Sequence, residues 1–298
     1  MNEEAVAIPS AGLRLHGMLG VPDGLRPTER RAAFLVLHGF GTNCDSANVV
    51  EPTGVLSGLG YVTLRFDMRG CGKSEGEFGR IICLEQVEDL GNALAFLARH
   101  PVVDPDRIGA IGSSFGGAVA IYAGGTNPRV AAIISNGGWG HGERKFRGQH
   151  PTPELWAKFT QMLADGRAHR TRTGKSLMVP RDAIVPIPAH VAETLRKQNV
   201  TMLPPDAVEM FPAETAQSMF DFRAEEVVAK IAPRPLLLIH AANDSVTPTE
   251  QSIELFRRAG QPTELHLFSG LDHFLFAENS VRVWNVLRDW LDAYFPAQ

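Results

Sequence analysis

Ser114 stands in Gly112-Ser113-Ser114-Phe115-Gly116-Gly117, the stretch of this chain best fitted for covalent chemistry. A serine hydroxyl is a weak nucleophile at neutral pH. It needs an adjacent base, and that base needs an orienting acid. Arg107 to Ile111, just upstream, reads as a short apolar strand, and Phe115 to Gly124 reads as a helix of small residues. Strand, Gly-x-Ser-x-Gly, helix is the arrangement of a nucleophile elbow, in which a sharp, strained turn throws the central serine forward. Gly112 and Gly116 remove the side chains that would clash there. The hydroxyl then lies at the positive end of the following helix, where negative charge is favoured.

His273 and Asp244 are the matching base and acid. His273 lies in Ser269-Gly270-Leu271-Asp272-His273-Phe274, a loop after the last expected strand. Asp244 lies in His240-Ala241-Ala242-Asn243-Asp244-Ser245, directly after the strand before it. An imidazole transfers protons near neutrality, and a carboxylate on its other nitrogen fixes its tautomer. Asp272 adjoins His273 but reads as a turn residue. Ser113 is turned away by the elbow. His-x-His, His-Glu-x-x-His and Cys-x-x-Cys are absent from the sequence, so neither a metal nor a cofactor is expected.

Three loops so far apart in sequence need a frame that brings them to one edge. Ala32 to Leu37 is a continuous apolar run, as expected for a strand buried on both faces. Further strands are expected at Tyr61–Phe66, Val130–Ser135, Pro235–Ile239 and Glu264–Phe268. Helices are expected near Asn48–Leu59, Leu84–Ala98 and Pro248–Ala259, with a last amphipathic one near Asn279–Tyr294. Glu4–Ile8 and Leu13–Val21 read as a hairpin about Ser10-Ala11-Gly12, and Pro22-Asp23-Gly24 with Pro27 marks a loop. Such alternation predicts an α/β class protein: a mostly parallel sheet with helices on both faces. Ligands bind such sheets outside the carboxyl ends of the strands.

The alternation breaks between Trp139 and Asp221, where no strand is evident and helices are expected at Pro153–Ala164 and Pro188–Gln198. It resumes with a helix from about Phe222 to Ile231. The expected organisation is therefore a core of residues 1–138 and 222–298, with a helical cap of residues 139–221 inserted after the sixth strand. Trp139, Trp156 and Phe159 are the candidates to line an apolar substrate site, among aromatic and methionine side chains that include Met202 and Met210. Arg144, Lys145, Arg147, Arg167, Arg170, Arg172, Lys175 and Arg181 crowd the first part of the insertion, and acidic residues crowd the second. That pattern suits solvated faces, pairing within the chain, or pairing between subunits of a homodimer. An anionic substrate is the other reading.

A 298-residue chain that is 44% hydrophobic and 21% charged can bury a sizeable core. Its net charge of −4 gives no reason to expect nucleic acid or a membrane surface as partner. Cys44, Cys71 and Cys83 are too few and too irregularly spaced for a disulfide scaffold. Met1-Asn2-Glu3-Glu4 begins no apolar signal core, and no apolar run reaches membrane-spanning length. A cytoplasmic protein acting on a small molecule is expected.

The Ser, Asp, His chain order is that of the α/β hydrolases. The chain resembles that superfamily over nearly its whole length. The likeness extends to His38-Gly39-Phe40-Gly41 and to Asp67-Met68-Arg69-Gly70-Cys71-Gly72-Lys73-Ser74, which is similar to the superfamily's Asp-x-Arg-Gly-x-Gly-x-Ser segment. The resemblance implies an α/β-hydrolase fold, with the backbone N–H groups of Phe40 and Phe115 forming the oxyanion hole. His38 itself reads as a structural hydrogen-bonder that shapes the oxyanion loop, and Asp67 and Arg69 as braces at the edge of the site rather than as reacting groups. Cys71 could line the entrance. In the family the acid can also follow strand six, but Ser135-Asn136-Gly137 offers no carboxylate, which favours Asp244. Carboxylic-ester hydrolysis through a Ser114 acyl-enzyme is the activity expected. The alternatives are amide or peptide hydrolysis of the prolyl-oligopeptidase-like kind, cleavage of a carbon–carbon bond in a diketone, and ligand binding by a receptor built on the same fold.

Overall fold

The computed structural model describes residues 2–26, 29–197 and 203–298. Pro27, Gln198 and Met202 lie outside them. The main sheet has eight strands: β1 (Asn2–Ser10), β2 (Leu13–Val21), β3 (Arg31–Leu37), β4 (Val62–Phe66), β5 (Val103–Ser113), β6 (Ile133–Asn136), β9 (Leu236–Ala241) and β10 (Thr263–Phe268). Two short strands, β7 (Met178–Pro180) and β8 (Met210–Pro212), form a separate antiparallel pair. The main sheet runs β1-β2-β4-β3-β5-β6-β9-β10. β1–β2 and β2–β4 are antiparallel, and every other pairing is parallel.

Strand β3 shows how the sequence builds this frame. Ala33, Leu35 and Leu37 face one layer and Ala32, Phe34 and Val36 the other, and all six are buried. One layer holds α1 (Ala47–Gly58) and α10 (Val281–Tyr294). The other holds α2 (Cys83–Leu97) and α3 (Phe115–Thr126). Period-two alternation with apolar residues on both faces produces the continuous apolar run. In α10, Val283, Trp284, Leu287, Trp290 and Leu291 recur at helical spacing and are all buried, while the opposite face stays polar.

Between β6 and β9 the chain makes α4 (Gly142–Gln149), α5 (Pro153–Thr173), α6 (Arg181–Ile184), α7 (Ala189–Lys197) and α8 (Ala213–Asp221), with β7 and β8 among them. α9 (Glu250–Arg258) joins β9 to β10.

Three local expectations need correction. The inserted segment contains the β7–β8 pair, whose three-residue strands are too short to leave a period in the sequence. α5 runs to Thr173 rather than ending near Ala164, because Gly166 marks a close approach and not a stop. A Cβ there would lie 2.5 Å from that of Ala213 on α8. The helix expected at Phe222–Ile231 is two 3₁₀ turns, Ala224–Glu226 and Val228–Ile231. Arg234 bridges Lys230 to the carbonyls of Gly124, Asn127 and Val130 beside α3, and this docking overrides the weak local preference. No described helix is long and apolar enough to cross a membrane.

Candidate active site

Ser114 occupies the junction of β5 and α3 with φ 55° and ψ −113°, a strained conformation for a side-chain-bearing residue. The turn leaves no room beside it. A Cβ on Gly116 would lie 2.6 Å from the His38 carbonyl oxygen, and one on Gly112 would fall on the Gly116 backbone. The serine cannot relax without unthreading β5 from α3.

His273 lies between Ser114 and Asp244. Its Nδ1 is 2.7 Å from Asp244 Oδ2, and its Nε2 is 2.8 Å from Ser114 Oγ. A carboxylate only accepts, so Nδ1 carries the proton and Nε2 accepts from the serine hydroxyl. Parallel strands deliver all three residues to one edge: Ser114 after β5, Asp244 after β9 and His273 after β10.

Asp244 is fixed as an acceptor on every side. Its Oδ1 accepts from Val246 N at 2.8 Å and Thr247 N at 2.7 Å. Burial alone would raise its pKa. The charge and hydrogen bond of His273, with the bond from His240, outweigh that and hold the carboxyl well below its usual range. His240 was not singled out as a site residue by the sequence. It is fully buried, with Nε2 3.1 Å from Asp244 Oδ2 and 3.0 Å from the Thr247 carbonyl, and Nδ1 2.6 Å from Ser252 Oγ. Its position four residues before Asp244, at the end of β9, is the signal that could have found it.

The loop after β3 stands against the elbow. His38 is buried, donates from Nδ1 to the Gly39 carbonyl at 2.8 Å and accepts at Nε2 from Met68 N at 3.0 Å. Burial lowers its pKa, so it is a neutral brace. Asp67 accepts from Cys44 N at 2.6 Å and Lys73 N at 2.8 Å, and Arg69 grips the buried Asp89 at 2.6 Å. Phe115 opens α3, so its N–H has no acceptor within the helix. Asp272 accepts from Ser245 N and from His273 N, tying the acid and base loops together.

The cleft over Ser114 and His273 is walled by Phe40, Thr42, Asn48, Val246, Phe274 and Ala277 of the core. Arg181, Val185, Ile187 and Leu203 of the inserted segment complete it. Trp139, Trp156 and Phe159 are not in this wall. Trp139, 1% exposed, packs behind the elbow against Phe115 and Phe222. Phe159 stacks on Phe146 and His150, and Trp156 packs on Phe159 and Phe220. They hold the insertion to itself and to the core. Cys71 is likewise fully buried and lines no entrance. Two of the crowded cations depart from the expectation of solvated faces: Lys145 is buried, and Arg181 is half-buried in the cleft wall.

Among the described residues, His16, Cys44 and Asp67 bring three metal-ligand atoms within 4.8 Å of one another. Both Asp67 oxygens already accept backbone N–H groups. Burial and the Asp67 charge push the Cys44 thiol far above its usual range, which describes a hydrogen-bonded thiol rather than a thiolate ligand.

A family model described as serine aminopeptidase, S33, matches residues 28–280. The chain belongs to this family of α/β hydrolases. An uncharacterised 31.7 kDa protein of Escherichia coli is 27% identical over 91% of this chain and 92% of its own. The thiohydrolase aneE of Aspergillus aculeatus is 27% identical, over 88% and 83% respectively. The crystal structure of the α/β hydrolase GrgF from Penicillium sp. superposes with a TM-score of 0.80 at 23% identity, covering 99% of both chains. The S33 match spans the elbow, the inserted segment and both triad loops, so all three candidate residues fall inside it.

Proposed function

We propose that this α/β hydrolase is a serine esterase that cleaves carboxylic esters of small, apolar or aromatic substrates through a Ser114 acyl-enzyme. The single observation carrying the reading is the unbroken relay from Asp244 through His273 to Ser114, at 2.7 and 2.8 Å. Ser114 Oγ attacks the ester carbonyl carbon as its proton passes to His273 Nε2. The carbonyl oxygen gains the electron pair and is met by the N–H groups of Phe40 and Phe115. Collapse breaks the carbon–alkoxide bond, and the leaving alcohol takes the proton from His273. Water then attacks the acyl-enzyme, again losing a proton to His273, which returns it to Ser114. Asp244 holds the imidazole tautomer and supports the imidazolium. The insertion acts as a cap whose Val185, Ile187 and Leu203, with Phe40 and Phe274, favour an apolar acyl or alcohol group.

The test is labelling with a fluorophosphonate, peptide mapping, and turnover of nitrophenyl esters. Ser114 should carry the label, and Ser114→Ala should lose both label and turnover. A folded wild type that takes no label, or equal labelling of Ser114→Ala, overturns the assignment. One second reading has support: the relative named a thiohydrolase favours a thioester as acyl donor for the same relay. A kcat/KM for an acyl thioester at least tenfold above that for the matched oxoester would select it. Turnover of a vinylogous diketone with no ester or thioester cleaved would reject both.

A further inference from the structure

Arg181 enters the cleft wall from α6 of the inserted segment and takes hold of the loop that follows β3. Its Nη1 donates to the Phe40 carbonyl at 2.7 Å, and its Nη2 to the Gly41 carbonyl at 2.8 Å. Nε and Nη2 also donate to the Val208 carbonyl at 3.0 and 2.6 Å. Val208 N in turn donates to Gly41 O at 2.9 Å, closing a ring of bonds between insertion and loop. The guanidinium lies over the Phe40 and Phe211 rings, 5.5 and 5.3 Å from their centroids, and those rings stack at 4.4 Å.

Two successive carbonyls turned to one guanidinium fix the Phe40–Gly41 and Gly41–Thr42 peptide planes, the first of which starts at the Phe40 Cα that carries the oxyanion N–H. Gly41 makes this geometry reachable. Its φ is +58°, and a Cβ there would lie 2.7 Å from the Phe211 ring and 2.8 Å from Arg181 Nη2. Among the described residues Arg181 has no carboxylate at ion-pair distance; the Phe40, Gly41 and Val208 carbonyl dipoles meet its charge, with a weaker through-space pull from Glu209. Burial lowers its pKa to about 10, which still leaves it cationic at neutral pH. A charge kept this way, without a contacting counter-ion, is costly for a residue that only fills space.

We infer that Arg181 is the positioning residue of the oxyanion hole: from the insertion, it sets the Phe40 backbone and places positive charge behind the developing oxyanion. The inference rests on the acyl-enzyme reading above. Preorganised donors that need not move during the reaction stabilise the transition state more than the bound substrate. Loss of Arg181 is therefore expected in kcat rather than KM.

The experiment uses full-length Arg181→Met and Arg181→Lys, both checked for folding by circular dichroism, with a nitrophenyl ester. Inhibition by a trifluoromethyl ketone, whose serine adduct carries an oxyanion, is measured beside it. Arg181→Met should lower kcat on the order of 10²–10³-fold, the loss seen when one oxyanion donor is removed. KM should stay within threefold, and ketone affinity should fall in parallel with kcat. Arg181→Lys should recover at least tenfold of the lost kcat. If Arg181→Met does not fold, Arg181→Lys against wild type decides, with a kcat loss tracked by ketone affinity supporting the inference. A folded variant with kcat within threefold of wild type overturns it, as does a loss carried by KM or unchanged ketone affinity. Wild type that takes no fluorophosphonate label would instead overturn the acyl-enzyme reading beneath it.

Discussion

Replacing Lys145 with methionine should make the protein more stable, and more so in acid than in base. Lys145 lies on α4 of the insertion and is 1% exposed. Its ammonium makes one hydrogen bond, to Gln149 Oε1 at 2.7 Å. Otherwise it rests over the rings of Trp139, 4.9 Å away, and Phe146, 4.2 Å away. Burial lowers its pKa from 10.5 to about 7, against weaker opposite pulls from Asp244 and Cys83. At about 1.4 kcal/mol per pKa unit, forcing it charged below pH 7 costs the fold about 5 kcal/mol. The two ring faces return about 1–2 kcal/mol of that to the ammonium. A net gain of about 3 kcal/mol is therefore expected for Lys145→Met at pH 6. Between pH 7 and 10.5 the unfolded chain holds a proton that the folded chain has released, so wild-type stability rises with pH across that window. The gain should shrink towards zero by about pH 10. Urea denaturation of both proteins at pH 6, 8 and 10 reads this directly, because every other titrating group is shared. Parallel stability curves, or a variant less stable than wild type at pH 6, would refute the reasoning.

Two further outcomes follow from the site. His240→Phe removes a hydrogen bond to the charged Asp244 and should lower kcat/KM by about 10–100-fold, the equivalent of about 1.5–3 kcal/mol. His240→Gln, which keeps a donor, should recover most of that loss, and equal rates in both variants would make His240 a bystander. Gly112→Ala sets a methyl on the Gly116 backbone, where no rotamer relieves it, and should lower Tm by about 10 °C or prevent folding. Gly174→Ala meets open space at φ +69°, so it should cost only about 1–2 kcal/mol and leave ester turnover intact. Equal Tm losses in the two glycine variants would mean the elbow is not close-packed.

What was legible in the sequence was what local chemistry dictates. The continuous run of β3, the spacing of α10 and the glycines around Ser114 each encode their own burial or turn, and Ser114, Asp244 and His273 meet where strand ends predicted. The three aromatics assigned to the substrate were misplaced because composition shows that a side chain is apolar, not which way it faces. Trp139 packs its ring 5.7 Å from that of Phe115 and is absent from the cleft wall. Arg181 and Lys145 were hidden for the complementary reason. A cation in a crowded basic stretch reads as solvated, and only tertiary structure shows that Lys145 is buried and Arg181 half-buried. His240 follows the apolar Pro235–Ile239 run, and only its place four residues before Asp244 at the strand's end marks it as a partner for the acid.

Buried Lys145 and half-buried Arg181 reach different parts of the site from the insertion, and they should respond oppositely to removal. Lys145 bears on the acid loop through Gln149, whose amide donates to the Val246 carbonyl at 2.6 Å. Losing the amine strands only Gln149 Oε1, on a half-buried side chain that water can reach. The amine also has a neutral form to retreat to, so the fold tolerates it as a conditional charge. Arg181 has no such retreat between pH 5 and 9, because even a pKa lowered to about 10 keeps its guanidinium protonated there. Its removal leaves the Phe40 and Val208 carbonyls without their donor at the cleft wall, at about 1–3 kcal/mol for each group left dry. Stability should therefore rise in Lys145→Met at low pH and fall in Arg181→Met across the whole range from pH 5 to 9. That difference in sign separates a charge the fold merely carries from one that holds the oxyanion loop in place.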